Sequence, residues 1–230
     1  PGLPAGVARR WVVLGTGTGI GKTFVSRSLV RALAAAGLPV AGLKPIETGI
    51  RDDGGPSDAR ELAALGFDAR LPAPHPLYAF AEPVAPSLAS RAAGTRIELE
   101  RIARWVDDAG SATTEPVHVV VETAGGVFSP LSDRHTNFDL ARALEPATWI
   151  LVAPNRLGVL HDVTSALVAM TALGRRPDWL VLSASETADL SSSSNRDELS
   201  RTMSTPPIVE LPRDDARPLA ALLAGVARRT

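Results

Sequence analysis

Nine residues, Gly15-Thr16-Gly17-Thr18-Gly19-Ile20-Gly21-Lys22-Thr23, constrain this chain more than any others. They follow the apolar run Trp11 to Leu14 and lead into a stretch, Lys22 to Ala36, that is rich in alanine and has helical spacing. A strand, a glycine-rich turn and a helix in that order make the context of a phosphate-binding loop. Glycines let successive backbone N–H groups converge on phosphate oxygens, and the helix start adds partial positive charge. In such a loop the backbone of Gly19, Ile20 and Gly21 faces phosphate, the Lys22 ammonium reaches the β- and γ-phosphates, and the Thr23 hydroxyl faces Mg2+. One irregularity stands out: a glycine usually lies five residues before the Gly-Lys pair, where this chain has Thr16, and Gly15 is one place early. Gly15, Gly17 and Gly19 alone would equally suit a dinucleotide site or a plain turn, but the ending Gly21-Lys22-Thr23 is far less generic.

Further apolar runs recur at Val40 to Leu43, Val117 to Val121, Trp149 to Val152, Trp179 to Leu182 and Ile208 to Leu211. Between them lie Ser57 to Leu65, Glu98 to Asp108, Asn137 to Leu144, Gly158 to Ala172 and Arg217 to Ala227, all of helical length and spacing. Alternation of this kind predicts βαβ units joined by right-handed crossovers. The expected fold is α/β: a single P-loop NTPase-like domain over residues 9–230, with a mostly parallel sheet and helices on both faces. Ligands of such sheets bind beyond the C-terminal strand ends. The Pro-rich stretch Leu71 to Pro76 and the Ser-rich stretch Ala184 to Asn195 read as loops, and Pro1 to Ala8 as a flexible segment without function. The four tryptophans, Trp11, Trp105, Trp149 and Trp179, read as packing residues.

Composition narrows the function classes. With no cysteine, the chain has no disulfide, no thiolate metal site and no cysteine nucleophile, which suits a reducing cytoplasm. Lys plus Arg number 24 against Asp plus Glu 25, so no net field draws it to nucleic acid or an anionic membrane. Nor does any uninterrupted apolar stretch approach the roughly 20 residues that span a bilayer. Small molecules or a second copy of the chain are the expected partners.

The loop Gly15 to Thr23 resembles that of the dethiobiotin synthetases, which share its early glycine and the displaced Thr. Lys44-Pro45-Ile46-Glu47-Thr48-Gly49 is similar to that family's second motif and Ser57-Asp58-Ala59 to its acidic third. Glu82-Pro83-Val84-Ala85-Pro86, Glu122-Thr123-Ala124-Gly125-Gly126, Asn155-Arg156-Leu157-Gly158 and Glu210-Leu211-Pro212 follow in the family's order, so the resemblance spans nearly the whole chain. It implies an ATP- and Mg2+-dependent enzyme that closes a cyclic urea on 7,8-diaminononanoate. A diamine nitrogen takes up CO2 as a carbamate, the carbamate attacks the γ-phosphate, and the second amine closes the ring as phosphate leaves.

Two anionic reactants must meet in that reaction, so cations and N–H donors are needed where charge accumulates. The resemblance assigns Lys44, just past the second strand, to carbamate and γ-phosphate, alongside Lys22. It assigns Thr23, Asp58 and Glu122 to Mg2+, which favours one or two carboxylates with phosphate oxygens and water. By themselves Ser57 and Asp58 also read as an ordinary helix start, and Glu122 as the polar end of a strand. Thr48 and Thr18 are implied as diamine or carbamate contacts, and Gly125 and Gly126 as backbone near substrate or phosphate. The helix start Gly158, Val159, Leu160 and His161 is implied to hold the substrate carboxylate across a homodimer interface, where an anion is physically reasonable.

Three positions depart from the family pattern. Gly17 replaces a usual Asp, and Thr123 replaces a usual Gly, with the expectation that its side chain narrows the substrate pocket. No Asn stands at the end of the Trp179 to Leu182 strand to read the base; Ser183 and Ser185 are the nearest polar residues, and neither offers the paired donor and acceptor of an amide. Glu210, Leu211 and Pro212 are similar to the family's second base-contacting segment. The alternatives are a related P-loop amidoligase, a regulatory nucleotide-switch ATPase, and a binding module that has lost group transfer. The amidoligases normally carry a glutaminase, for which this chain has no cysteine. The switch ATPases often carry a second loop lysine, absent between Thr16 and Gly21, and retention of Lys22, Lys44, Asp58 and Glu122 argues against the binding module.

Overall fold

Near-continuous Val, Leu and Ile runs suit strands that are buried on both faces, and here they assemble into one parallel sheet. The computed structural model describes residues 9–50, 57–66, 75–111, 117–185, 189–213, 215, 217–219 and 222–223. In chain order its elements are β1 (Arg9–Gly15), α1 (Lys22–Ala35), β2 (Val40–Leu43), β3 (Ile46–Thr48), α2 (Asp58–Ala63), β4 (Tyr78–Phe80), α3 (Pro86–Ala92), α4 (Leu99–Gly110), β5 (His118–Glu122), α5 (Asn137–Ala143), β6 (Ala147–Asn155), α6 (Val159–Ala172), β7 (Trp179–Ala184), α7 (Asn195–Thr202) and β8 (Ile208–Leu211). Six strands pair in the order β2-β5-β1-β6-β7-β8, every neighbour parallel. All their C-terminal ends therefore lie on one edge, and the loop after β1 sits at its middle.

Side chains alternate across the sheet into two cores. On one face Trp11, Val13, Val120, Ile150, Val152 and Val181 pack against α1 and against Leu62 of α2. On the other, Val12, Leu14, Val119, Val121, Leu151 and Leu182 pack against α4, α5 and α6. The fold is thus the expected α/β arrangement with helices on both faces. Leu219 and Leu222 are buried in the first core; of the helix expected from Arg217 to Ala227, Arg217 and Pro218 form a turn, Leu219, Leu222 and Leu223 are helical, and the other residues lie outside the described ones, as do Pro1 to Ala8 and most of Leu71 to Pro76.

Two features differ from the sequence expectation. Three-residue strands β3 and β4 form a separate parallel pair, Ile46 to Tyr78 and Thr48 to Phe80, which carries the chain from Lys44 across the sheet edge. Helices α3 and α7 also form, α3 with Pro86 at its first turn and α7 directly after the Ser-rich turn. Proline at a helix start removes an N–H that has no intrahelical partner anyway. Gly42 of β2 has a packing reason to be glycine: a Cβ there would stand 2.7 Å from both the Cγ and the carbonyl oxygen of Leu62, so its absence lets α2 lie directly on the sheet.

Candidate active site

A cavity of about 910 Å3 opens on the edge formed by the C-terminal strand ends. Its floor is the loop after β1. Thr16 N–H donates to the Val152 carbonyl (2.9 Å) and Val127 N–H to the Gly15 carbonyl (2.7 Å), tying the loop to β6 on one side and to the segment after β5 on the other. Gly21, at φ +95°, precedes the first turn of α1, a left-handed conformation that glycine adopts without penalty. A Cβ on Gly21 would also fall 2.3 Å from Ser183 Oγ. Thr18, Gly19, Ile20, Gly21, Lys22 and Thr23 all line the cavity. The Lys22 ammonium donates to the Gly17 carbonyl at 2.7 Å, folded back over its own loop.

The ends of β1, β2 and β5 bring four side chains into one connected cluster. Lys44 Nζ donates to Glu122 Oε1 at 2.9 Å and also pairs with Asp58 Oδ2. The same Glu122 oxygen accepts from Thr23 Oγ1 at 2.8 Å. Glu122 is 1% exposed, and its second oxygen, Oε2, is buried with no hydrogen-bond partner. Such an orphaned carboxylate oxygen is costly unless something else satisfies it. Burial lowers the Lys22 pKa to about 8; the Glu122 carboxylate opposes that shift and the Lys44 ammonium adds to it. Burial would lower Lys44 too, but Glu122 and Asp58 outweigh it and raise that pKa above the usual lysine value.

Beyond this cluster, Thr48 at the end of β3 and Gly125 after β5 line the cavity. Gly126 does not; its N–H donates to Ser129 Oγ at 2.8 Å. Asn137 holds this turn from below, donating to the Ala124 and Gly126 carbonyls at 2.6 and 2.8 Å. Thr123 also lines the cavity, and its hydroxyl donates to the Val13 carbonyl at 2.9 Å, which ties the side chain to β1. At the far end, Ser183 and Ser185 line the wall together with Arg213. Glu210, Leu211 and Pro212 stop short of the cavity: Leu211 is buried in the core and Glu210 lies 3.6 Å from Arg196. Gly158, Val159, Leu160 and His161 form the start of α6 outside the cavity of a single chain, with Val159 fully buried and Leu160 and His161 exposed.

Three charged residues with no role assigned from the sequence also line the cavity. Arg156 and Arg213 were each within reach of a motif already quoted, immediately past the ends of β6 and β8. Glu47 lay inside the second motif, but no local pattern marks its role: its carboxylate accepts from Ser57 Oγ (2.7 Å), Asp58 N–H (2.7 Å) and Ala59 N–H (3.2 Å), ten to twelve residues onward.

A family model described as an AAA domain matches residues 9–216. The chain is 38% identical over 219 residues to an ATP-dependent dethiobiotin synthetase of Anaeromyxobacter dehalogenans, covering 92% of this chain and 96% of that protein. To the enzyme of the same name from Caulobacter sp. it is 38% identical over 177 residues, 75% of each chain. Among solved structures, a chain of the MinC:MinD cell division protein complex from Aquifex aeolicus superimposes with a TM-score of 0.52 at 14% identity, over 90% of this chain and 82% of that one. That likeness extends to the fold alone.

Proposed function

The chain belongs to the ATP-dependent dethiobiotin synthetases, and from that premise we propose how its residues divide the work. The enzyme carboxylates 7,8-diaminononanoate with CO2 and closes the cyclic urea of dethiobiotin, converting ATP to ADP and phosphate in biotin biosynthesis. One observation carries the assignment of roles: Lys44 is held between Asp58 and Glu122 on the strand edge that bears the phosphate loop. Its ammonium is the cation best placed to meet an anionic carbamate and the γ-phosphate together.

The Thr23 hydroxyl, the Asp58 carboxylate and the unpartnered Glu122 Oε2 fit Mg2+, whose shell takes one or two carboxylates and is otherwise filled by phosphate oxygens and water. When bound, Mg2+ neutralises charge that develops across the β- and γ-phosphates. Lys22 leaves the Gly17 carbonyl to hold those phosphates, with backbone N–H groups of Gly19, Ile20 and Gly21 around them. Lys44 lowers the repulsion as the carbamate oxygen attacks phosphorus, and these donors need no reorientation during transfer. Thr18 and Thr48 orient the diamine and its carbamate, with the backbone of Gly125 alongside. Ser183 and Ser185, at the far end of the cavity, face the nucleotide base.

The catalytic unit is one domain running from residue 9, and two copies associate as a homodimer. The first turn of α6 in the second copy, Gly158 to His161, then receives the substrate carboxylate. Two features support this: that turn lies outside the cavity of one chain, and α6 with the residues flanking it exposes Leu157 (76%), Leu160, Val168 and Leu173. Apolar side chains grouped in this way suit a protein interface. No helix among the described residues is long and apolar enough to cross a membrane, and we assign the enzyme to the cytoplasm.

Phosphate release by purified protein with MgATP and bicarbonate tests the reaction. Release that requires diaminononanoate and yields a dethiobiotin mass is expected. Release indifferent to the diamine would overturn the reading in favour of a nucleotide switch.

A further inference from the structure

Asp58 occupies its place in the cluster only because a short helix begins there. Helix α2 has six residues, Asp58–Ala63, well under the length at which a helix persists by itself. Tertiary contacts must hold it. Leu62 is buried against β2, and Arg27 of α1 pairs with Glu61, but these act on its later residues.

Its start is fixed by Glu47. Glu47 Oε1 accepts from Asp58 N–H, and Oε2 accepts from Ala59 N–H and from the Ser57 hydroxyl. Ser57 Oγ in turn accepts from Arg60 N–H at 3.3 Å. The three leading N–H groups of the helix, which have no intrahelical partner, are thereby all satisfied by one buried carboxylate and one buried hydroxyl. Negative charge at this end of a helix is also favourable. Glu47 is 8% exposed and lines the same cavity as Lys44 and Glu122, one residue from Thr48 and three from Lys44.

We infer that Glu47 is a positioning residue for the reaction: it holds the start of α2 so that the Asp58 carboxylate stands beside Lys44 and Glu122. A carboxylate suits this role and an amide does not, because three donors converge on it and the NH2 group of Gln would face one or more of them. The inference rests on the Mg2+ reading above for its catalytic consequence, and on the hydrogen bonds alone for its structural one.

The test compares Glu47→Gln, Ser57→Ala, Asp58→Ala and the double variant Glu47→Gln/Asp58→Ala. Binding of Mn2+ in the presence of a non-hydrolysable ATP analogue is followed by electron paramagnetic resonance. Amide hydrogen exchange of residues 58–60 and thermal midpoints are measured on the same proteins. Removing a partner that orients a metal ligand typically weakens the metal about tenfold or more, and a loss of that order is expected for Glu47→Gln, with a smaller one for Ser57→Ala, which removes one contact of three. Asp58→Ala should weaken Mn2+ similarly, and the double variant no further than Asp58→Ala alone. A Glu47→Gln protein that binds Mn2+ like the parent, or a double variant whose losses multiply, overturns the inference. Should Asp58→Ala leave Mn2+ binding untouched, the metal reading fails, and exchange at residues 58–60 decides the positioning: faster exchange in Glu47→Gln upholds it and unchanged exchange overturns it. If Glu47→Gln proves too unstable to purify, Ser57→Ala carries the same comparison.

Discussion

The two ends of the cavity are built on different principles. Where β1, β2 and β5 end, buried Lys22, Lys44 and Glu122 form a charged cluster with the half-buried Thr23 and Asp58, in which Glu122 Oε1 serves two donors at once. Where β7 and β8 end, the wall is neutral hydroxyls, Ser183 and Ser185, with Arg213 at the rim. Group transfer concentrates charge on a few atoms and gains from donors fixed in a low-dielectric site before the reaction begins. Holding a planar base needs shape and a modest hydrogen bond. The sequence departures do not follow that division: Gly17 and Thr123 stand beside the charged cluster without replacing any of its five residues, and the missing Asn lies at the other end.

Replacing Lys44 by Ala is the strongest way to break this contrast. Turnover of the diamine is expected to fall on the order of a hundredfold, while the KM for ATP stays within a few-fold because Lys22 and the loop remain. The variant should also lose stability, about 3 kcal/mol in urea denaturation, since Glu122 becomes a buried carboxylate without its cation. Saturating MgATP should restore part of that loss. Unchanged turnover would remove Lys44 from the mechanism.

A second prediction concerns pH. Burial holds the Lys22 pKa at about 8, below the ordinary 10.5, so the free enzyme begins to lose that charge just above neutrality. A bound triphosphate favours the charged form and raises the pKa, so binding takes up a proton in that range. Affinity for MgATP should therefore be steady below about pH 8 and fall severalfold between pH 8 and 9.5, by up to about tenfold per unit. Calorimetry in buffers of different ionisation enthalpy checks the proton uptake; binding without uptake at pH 8.5 would mean that Lys22 is not the group facing phosphate.

The same contrast governs what could be read from sequence. All six strands of the main sheet were legible within two residues at each end, save that β6 runs three residues further, because strands buried on both faces must be apolar runs. The pair β3 and β4 was not, since three residues carry too little pattern; α3 begins at the last residue of a motif to which no element was assigned, and α7 at the end of serines that read as a loop. Lys22, Lys44, Asp58 and Glu122 were legible because each stands at a motif on a strand end or helix start. Glu47 was not: nothing in Lys44-Pro45-Ile46-Glu47 separates a helix-capping carboxylate from a solvated one until α2 folds back onto it. Thr123 lines the cavity while its hydroxyl bonds the neighbouring strand, a tie that no local sequence pattern marks.

The smallest expected effect belongs to the neutral end and tests whether it is as undemanding as it looks. Ser183 is buried, and its hydroxyl lies against Gly21 and the cavity wall. A single neutral hydrogen bond contributes about 0.5–1.5 kcal/mol, so Ser183→Ala should raise the KM for ATP by about tenfold at most and leave kcat unchanged. With one hydroxyl in place of an amide, discrimination between ATP and other nucleoside triphosphates should be similarly shallow, and competition kinetics with GTP and CTP measures both. A loss of a hundredfold on removing this one hydroxyl would mean that Ser183 acts on the phosphate loop through its contact with Gly21. The two ends would then be one connected machine, not a charged centre with a permissive rim.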